Sequence, residues 1–199
     1  MIEVERMDAY DRDIRDEVTE VILDGFFSQL SFFTKDRRKF ITAFRDEVRA
    51  DLFFVAELDG VIAGVLACSD NSGRALLANK ASLRRGLGFA VGTIAAHVLA
   101  REFNSPVSID DDSGFIEWVA TSEHARGKGV STALFQHVMK LPRYRSLVLE
   151  VVDTNENARR LYSRLGFAEY KRKPAKGLEK RTFTERVYMR WSRNAPPAA

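Results

Sequence analysis

Apolar and polar residues recur along this chain with two periods, and those periods predict an alternation of strands and helices. Ile2–Arg6 reads as an opening strand, followed by helical segments over about 11–32 and 34–48. Thr34 is a good N-cap for the second of these, and Phe40, Ile41, Phe44 and Val48 fall on one of its faces. The apolar runs 52–58 and 61–68 flank Asp59-Gly60, a strong signal for a two-residue hairpin turn. Between 75 and 112 the chain makes a long excursion holding a helix over about 82–103, along which Gly88, Gly92, Ala96 and Ala100 recur every four residues. Small residues at that spacing form a smooth ridge on which another backbone can approach closely. Packing inside the molecule is the expectation, and a subunit interface in a homodimer is the alternative.

After the excursion, the apolar run 115–120 predicts a strand. A helix over 130–140, a strand over 147–152, a helix over 156–165 and strands near 167–173 and 182–191 follow. A strand-helix-strand unit implies parallel strands joined by a right-handed crossover. No internal repeat and no linker divides the chain, so 1–193 reads as one domain and 194–199, with Pro196-Pro197, as a flexible tail.

With 199 residues, 45% of them hydrophobic and 11% aromatic, the chain can bury a core that needs no disulfide or metal to hold it. The lone Cys68 lies in an apolar run and reads as a buried, inert thiol, which points to a reducing cytoplasm. The weakly polar stretch 87–100 contains His97 and falls short of the roughly 20 residues that cross a bilayer. The start of the chain has neither the basic nor the apolar region of a signal peptide. No membrane association is expected. Although the pI is near 9.1, net charge is only +3, from 31 basic against 28 acidic residues. The basic groups are scattered over Arg37-Arg38-Lys39, Arg84-Arg85 and 143–145 without interleaved aromatics, so a solvated surface is expected rather than a nucleic-acid partner.

The chemistry concentrates in Arg126-Gly127-Lys128-Gly129-Val130-Ser131-Thr132, between a predicted strand and a predicted helix. Glycines keep side chains away from an approaching anion, and the first N–H groups of a helix have no internal partners, so such a loop suits a pyrophosphate. A P-loop is excluded because Lys128 is followed by Gly129 and Ser122 stands where the first glycine belongs. The run Gly86-Leu87-Gly88-Phe89-Ala90-Val91-Gly92 misses the dinucleotide spacing by one residue and follows no clear strand, so it reads as helix packing. What remains is Arg-x-x-Gly-x-(Gly/Ala), with Arg126, Gly129 and Ser131 in the set positions.

That pattern, followed by Asn155-Glu156-Asn157-Ala158-Arg159-Arg160-Leu161-Tyr162-Ser163-Arg164-Leu165-Gly166-Phe167, resembles the GNAT superfamily of acetyl-CoA-dependent N-acetyltransferases over roughly 115–173. Ser131 departs from the usual glycine or alanine, and Glu123 from a common proline. The resemblance implies an α/β fold built on a twisted, mixed but mostly antiparallel sheet of six to seven strands. In it a parallel central pair is splayed at the cofactor site, helices flank the sheet, and an extra helix is inserted before the motif strand. It further implies acetyl-CoA as co-substrate, without a metal. The backbone of Val119, Ala120 and Thr121 would pair with pantetheine, and the amides of Gly127, Lys128, Gly129, Val130, Ser131 and Thr132 would hold the pyrophosphate beside Arg126. Asn155 would cap the second helix or reach the cofactor, and Ala158 and Tyr162 would line its site.

Acetyl transfer to an amine needs a base, because an alkyl ammonium with pKa about 10.4 carries almost no free lone pair at neutral pH. It also benefits from an acid at the departing thiolate. By the resemblance, Tyr162 is the acid and either Glu117 or Glu150 the base, with Glu117 ranked first. If the motif strand is regular, Glu117 shares a face with Val119 and Thr121. Asp110-Asp111-Asp112 and the cluster Phe26, Phe27, Phe32 and Phe33 lie where an amine acceptor could be drawn or shaped, though a solvated turn and a helix core are the commoner explanations. The acceptor stays unnamed. A non-catalytic acyl-CoA-binding module, or a transferase for a longer acyl group, would carry the same motifs.

Overall fold

The computed structural model describes residues 1–177, 180 and 182–193; the tail expected over 194–199 lies outside the described residues. Seven strands form one sheet: β1 (Ile2–Arg6), β2 (Phe53–Leu58), β3 (Val61–Ser69), β4 (Ser113–Thr121), β5 (Ser146–Val152), β6 (Ala168–Pro174) and β7 (Glu185–Ser192). Their spatial order is β1-β2-β3-β4-β5-β7-β6, and every neighbouring pair is antiparallel except β4 and β5. Six helices cover it: α1 (Arg15–Leu30), α2 (Arg37–Phe44), α3 (Lys80–Leu87), α4 (Phe89–Phe103), α5 (Val130–Lys140) and α6 (Glu156–Arg164).

The β2–β3 hairpin closes where the Asp-Gly pair predicts, with Asp59 at φ 53° and Gly60 at φ 79°. Positive φ at both positions matches the right-handed twist of the flanking strands. Helix α2 corrects the expected start. Its N-cap is Asp36, whose carboxylate accepts from Arg38 N at 3.0 Å, while the Thr34 hydroxyl accepts from Asp36 N two residues too early. The helix also stops at Phe44, and Val48 bridges to Leu76.

The single helix expected over 82–103 is two helices, α3 and α4, broken at Gly88 with φ 84° and ψ 163°. A side chain at that φ would crowd its own carbonyl, so glycine permits the corner. A Cβ at Gly92 would sit 2.5 Å from the Leu83 carbonyl oxygen, so α4 folds back against α3 along the small-residue ridge. Ala96 on that ridge is buried and Ala100 half-buried in the same core.

Two apolar cores form, one on each face of the sheet. The first joins α1, α2, α3 and α4 to β2, β3 and Ala120 of β4; the second joins α5 and α6 to Ile116, Leu147, Leu149, Val151, Val187 and Met189. Phe40 and Phe53 of the first and Phe135 of the second are fully buried, each contributing roughly 1.5–3 kcal/mol of transfer free energy. Cys68 is buried in the second core, and burial pushes its thiol up to about 12, which leaves it inert. A Cβ at Gly64 of β3 would lie 2.3 Å from Val130 Cγ1, so α5 is seated directly on the strand. No described helix is long and apolar enough to cross a membrane.

Candidate active site

The parallel strands β4 and β5 pair from Ser113↔Ser146 to Ile116↔Leu149 and no further. Beyond that point β4 stays paired to β3 as far as Thr121, and β5 to β7 as far as Val152. The two strands therefore diverge into a notch, along which main-chain groups of β4 have no strand partner on the β5 side. Buried amides and carbonyls need partners. A ligand with amides of its own, laid along the notch as an extra strand, would supply them.

A bulge shapes the β4 side of the notch. Val65 pairs with Ala120 but Ala67 pairs with Glu117, so one extra residue is accommodated in β4, and Trp118 takes φ 51°. The bulge overturns the expected regular strand, in which Glu117 shares a face with Val119 and Thr121. Trp118 turns toward α1 and α4, its ring 5.0 Å from Phe26 and 4.8 Å from Phe103. Val119 packs into the α5 core, and Thr121 Oγ1 lies 2.8 Å from Ser131 Oγ on α5. Glu117 lies on the other face, the α4 side.

At the end of β4 the chain makes a short turn over Glu123–Ala125 and enters α5 through two left-handed glycines, Gly127 at φ 76° and Gly129 at φ 87°. Ala133 N bonds Gly129 O at 3.0 Å and closes the first helical turn. The amides of Val130, Ser131 and Thr132 thus have no helical acceptor. A Cβ at Gly127 would meet nothing within 4 Å and one at Gly129 only Ile2 Cδ1, so the space in front of these amides is open. This cradle fits a phosphate-bearing group. Lys128 is exposed at its rim, whereas Arg126 donates to the Asp24 carbonyl of α1 at 3.0 Å and braces the loop. Asn155 accepts from Ala158 N at 3.2 Å and so acts as the N-cap of α6.

Tyr162 lies on the α5/α6 face, its ring 5.3 Å from Phe135 and 6.1 Å from Phe167. Burial pushes its phenol up to about 12, so it is protonated at neutral pH. Among the described residues nothing engages its hydroxyl. Because Ile116 and Leu149 both point into this same core, the next residues along each strand, Glu117 and Glu150, point to the opposite face. The two carboxylates are thus the first side chains past the last parallel pair, one on each arm of the notch.

Their surroundings differ. Glu117 is 8% exposed and receives Arg74 Nε at 3.2 and 3.1 Å, Arg74 Nη2, the Ser69 hydroxyl and Ala75 N at 3.3 Å. Glu150 is 23% exposed and is engaged by Arg186 and by Tyr188, directly across on β7. Burial, and then the bond to Glu150, raise the Tyr188 phenol above its usual range. Glu102 at the end of α4 joins the two clusters: its carbonyl accepts from Arg74 Nη1 at 3.0 Å and its carboxylate lies 3.7 Å from Arg186. Arg74, Ser69, Arg186 and Tyr188 carry no motif and were not expected from the sequence; only the cross-strand pair Glu150↔Tyr188 could have suggested one of them. Of the aromatic cluster, Phe26, Phe27 and Phe33 pack on the α1 core while Phe32 is 87% exposed. Asp111 and Asp112 are engaged locally, by Asn71 at 2.7 Å and Arg145 at 3.8 Å.

A mixed sheet split between its central strands, with an open amide cradle at the end of one arm, is a fold suited to a ligand that carries both amides and phosphates. The sequence model described as Acetyltransferase (GNAT) family matches residues 18–167, and the chain belongs to that family. An N-acetyltransferase from Staphylococcus aureus Mu50 superposes with a TM-score of 0.62 at 16% identity, over 95% of this chain and 100% of that one. The Salmonella typhimurium protein yncA, solved with its cofactor acetyl-CoA, superposes with a TM-score of 0.59 at 16% identity, over 100% of this chain and 98% of that one. A "5-NmdU N-acetyltransferase" of Pseudomonas phage PaMx11 is 40% identical over 50 residues, which are 25% of this chain and 36% of the relative.

Proposed function

We propose that the protein transfers an acetyl group from acetyl-CoA to a primary amine by direct attack, with both substrates bound together. The observation that carries this is the notch itself: a cradle for phosphates at its β4 end, Tyr162 on one face of the sheet, and Glu117 and Glu150 on the other. Acetyl-CoA supplies the activated acyl group. The amides of Gly127, Gly129, Val130, Ser131 and Thr132, at the positive end of α5, hold the pyrophosphate, the Lys128 amide being bonded to the Ala125 carbonyl at 3.3 Å, with the helix dipole adding about 0.3–1 kcal/mol. The backbone of Val119, Ala120 and Thr121 pairs with the pantetheine. Tyr162, neutral and buried, gives its proton to the departing sulfur.

Glu150 is the better base. Four donors, Arg74 Nε and Nη2, the Ser69 hydroxyl and Ala75 N, converge on Glu117 and match the roughly four lone-pair sites of a carboxylate, so no acceptor position is left for an amine or a bridging water. Glu150, engaged by Arg186 and Tyr188, keeps acceptor positions open and is the more exposed of the two. Its role is to draw the proton from the incoming ammonium, a task that contributes typically 10² to 10⁴ in rate. Glu117, with Arg74, fixes the bulge.

The test is CoA release with a panel of primary amines, 5-NmdU among them because the phage relative carries that name. Turnover on at least one amine, a loss of a hundredfold or more in Glu150→Gln and a smaller one in Glu117→Gln would support the reading. Acetyl-CoA binding without turnover on any amine would replace it with a binding module, and preference for a longer acyl-CoA with a different acyltransferase.

A further inference from the structure

We propose that the open face of β5, β7 and β6 beside Glu150 is a docking surface for a single-stranded nucleic acid. The α1–α4 core contains no residue of β5, β6 or β7, and β6 is exposed along its whole length. Strand register sorts its side chains. Lys171 pairs with Tyr188 and Lys173 with Arg186, which places both lysines on the Glu150 face. Lys171 Nζ and Lys173 Nζ lie 5.9 and 5.0 Å from the Tyr188 ring centre, and the Arg190 guanidinium lies 4.8 Å from that of Tyr170. Tyr170 is 48% exposed, and the two tyrosine rings are 6.4 Å apart.

Among the described residues on this face only Arg186 is charge-matched, by Glu150 and by Glu102 at 3.7 Å. On the opposite face of β6, Arg172 is bonded to Glu169 and Glu185. On this face Lys171, Lys173 and Arg190 reach no carboxylate among the described residues. Like charges gathered on adjacent strands repel, so three neighbouring cations without counter-ions are complementary to an anionic partner. The tyrosines select among anions. An acidic peptide needs only the cations, whereas a nucleic-acid strand places phosphates on cations and bases on aromatic faces. Between Tyr170, Arg190 and the loop before β4 is a cleft of about 110 Å³, also lined by Val148 and Asp110. The Asp110 carboxylate there would accept from a base amine and repel a phosphate. In sequence these groups are split between 170–173 and 188–190, so no basic run announces them.

Docking is independent of acetyl transfer; that the strand presents the acceptor amine to Glu150, past Tyr188, rests on the transferase reading above. The test is fluorescence anisotropy of a fluorescein-labelled ten-nucleotide oligothymidylate titrated with the full chain at several salt concentrations. Saturable binding that weakens with salt is expected. Lys171→Glu with Lys173→Glu should lower affinity at least about tenfold and flatten the salt slope by roughly 1.4, the loss of two phosphate contacts at about 0.7 each. Tyr170→Ala should weaken binding at least about fivefold. Neither variant should change the thermal shift produced by acetyl-CoA, which reports an intact fold and notch. Absence of saturable binding would overturn the proposal, as would affinity indifferent to both variants. Tighter binding of a poly-glutamate peptide, unaffected by Tyr170→Ala, would overturn it in favour of an acidic protein partner. Oligonucleotide binding without any acetyl-CoA shift would count against the transferase reading alone.

Discussion

Glu117 and Glu150 occupy equivalent places on the two arms of the notch, and their different neighbours give them different consequences on mutation. Removing the Glu117 charge leaves Arg74, only 14% exposed, without its counter-ion. Stranding a buried charge costs about 3–5 kcal/mol. Glu117→Gln should therefore lower the melting temperature by well over 5 °C in calorimetry. Glu150→Gln should leave it nearly unchanged and reduce kcat instead; the reverse pattern would return the base to Glu117. The sequence offered both glutamates and no means of separating them, because the donors that fill Glu117 come from Ser69, Arg74 and Ala75, more than forty residues earlier. Tyr162 is legible in its motif and adds a pH signature. Its phenol, pushed up to about 12 by burial, stays neutral in the fold where the unfolded chain would ionise near 10. A raised folded value contributes stability that is complete below pH 10 and is lost as pH rises from 10 to 12. Denaturant unfolding at pH 9 and pH 11 should show a fall that is shallower in Tyr162→Phe, and an equal fall in both proteins would remove Tyr162 from the account.

Among the elements, those whose boundaries are set by local chemistry were readable. Asp59-Gly60 fixed the hairpin, and the spacing of Val130, Leu134, Phe135 and Val138 fixed α5. Two backbone departures were not readable, for opposite reasons. The helix break at Gly88 leaves the apolar period intact on both sides, and a glycine within a helical pattern is tolerated often enough to carry no warning. The β4 bulge is centred on tryptophan, a residue that disfavours φ 51° and gives no sign of it in sequence; packing between Phe26 and Phe103 holds it there. At the head of α5 the glycine signal was clear, and its two functions can be separated. Gly129→Ala at φ 87° should cost about 1–2 kcal/mol in stability. It also places a methyl group in the open ground before the amides. Acetyl-CoA affinity, by calorimetric titration, should drop more than tenfold, while Gly88→Ala, more strained at φ 84° and ψ 163° but remote from the cradle, should lose stability only. Equal affinities in the two variants would mean that the cradle does not hold the phosphates.

At the scale of the molecule, the motif half of the chain carried the family resemblance, and the first half supplies what surrounds the notch. Arg74 is the join between them. From the segment between β3 and α3 it grips Glu117 on β4 and also donates to the carbonyls of Glu102 and Ser105 at 3.0 and 3.1 Å, tying the C-terminal end of α4 to the motif strand. The guanidinium, with five donors spread over a rigid plane, serves a carboxylate on one edge and two carbonyls on another, a spread that a compact ammonium does not match. Arg74→Lys preserves the charge, so it should spare most of the stability lost in Glu117→Gln while releasing the end of α4. Hydrogen exchange at the amides of 101–105 should then accelerate, and, on the proposed reading, KM for the amine should rise several-fold with acetyl-CoA affinity unchanged, because α4 borders the face that carries Glu150 and not the cradle. If lysine leaves both exchange and amine KM as they were, the α4 connection is ornamental and the acceptor face is held by the sheet alone.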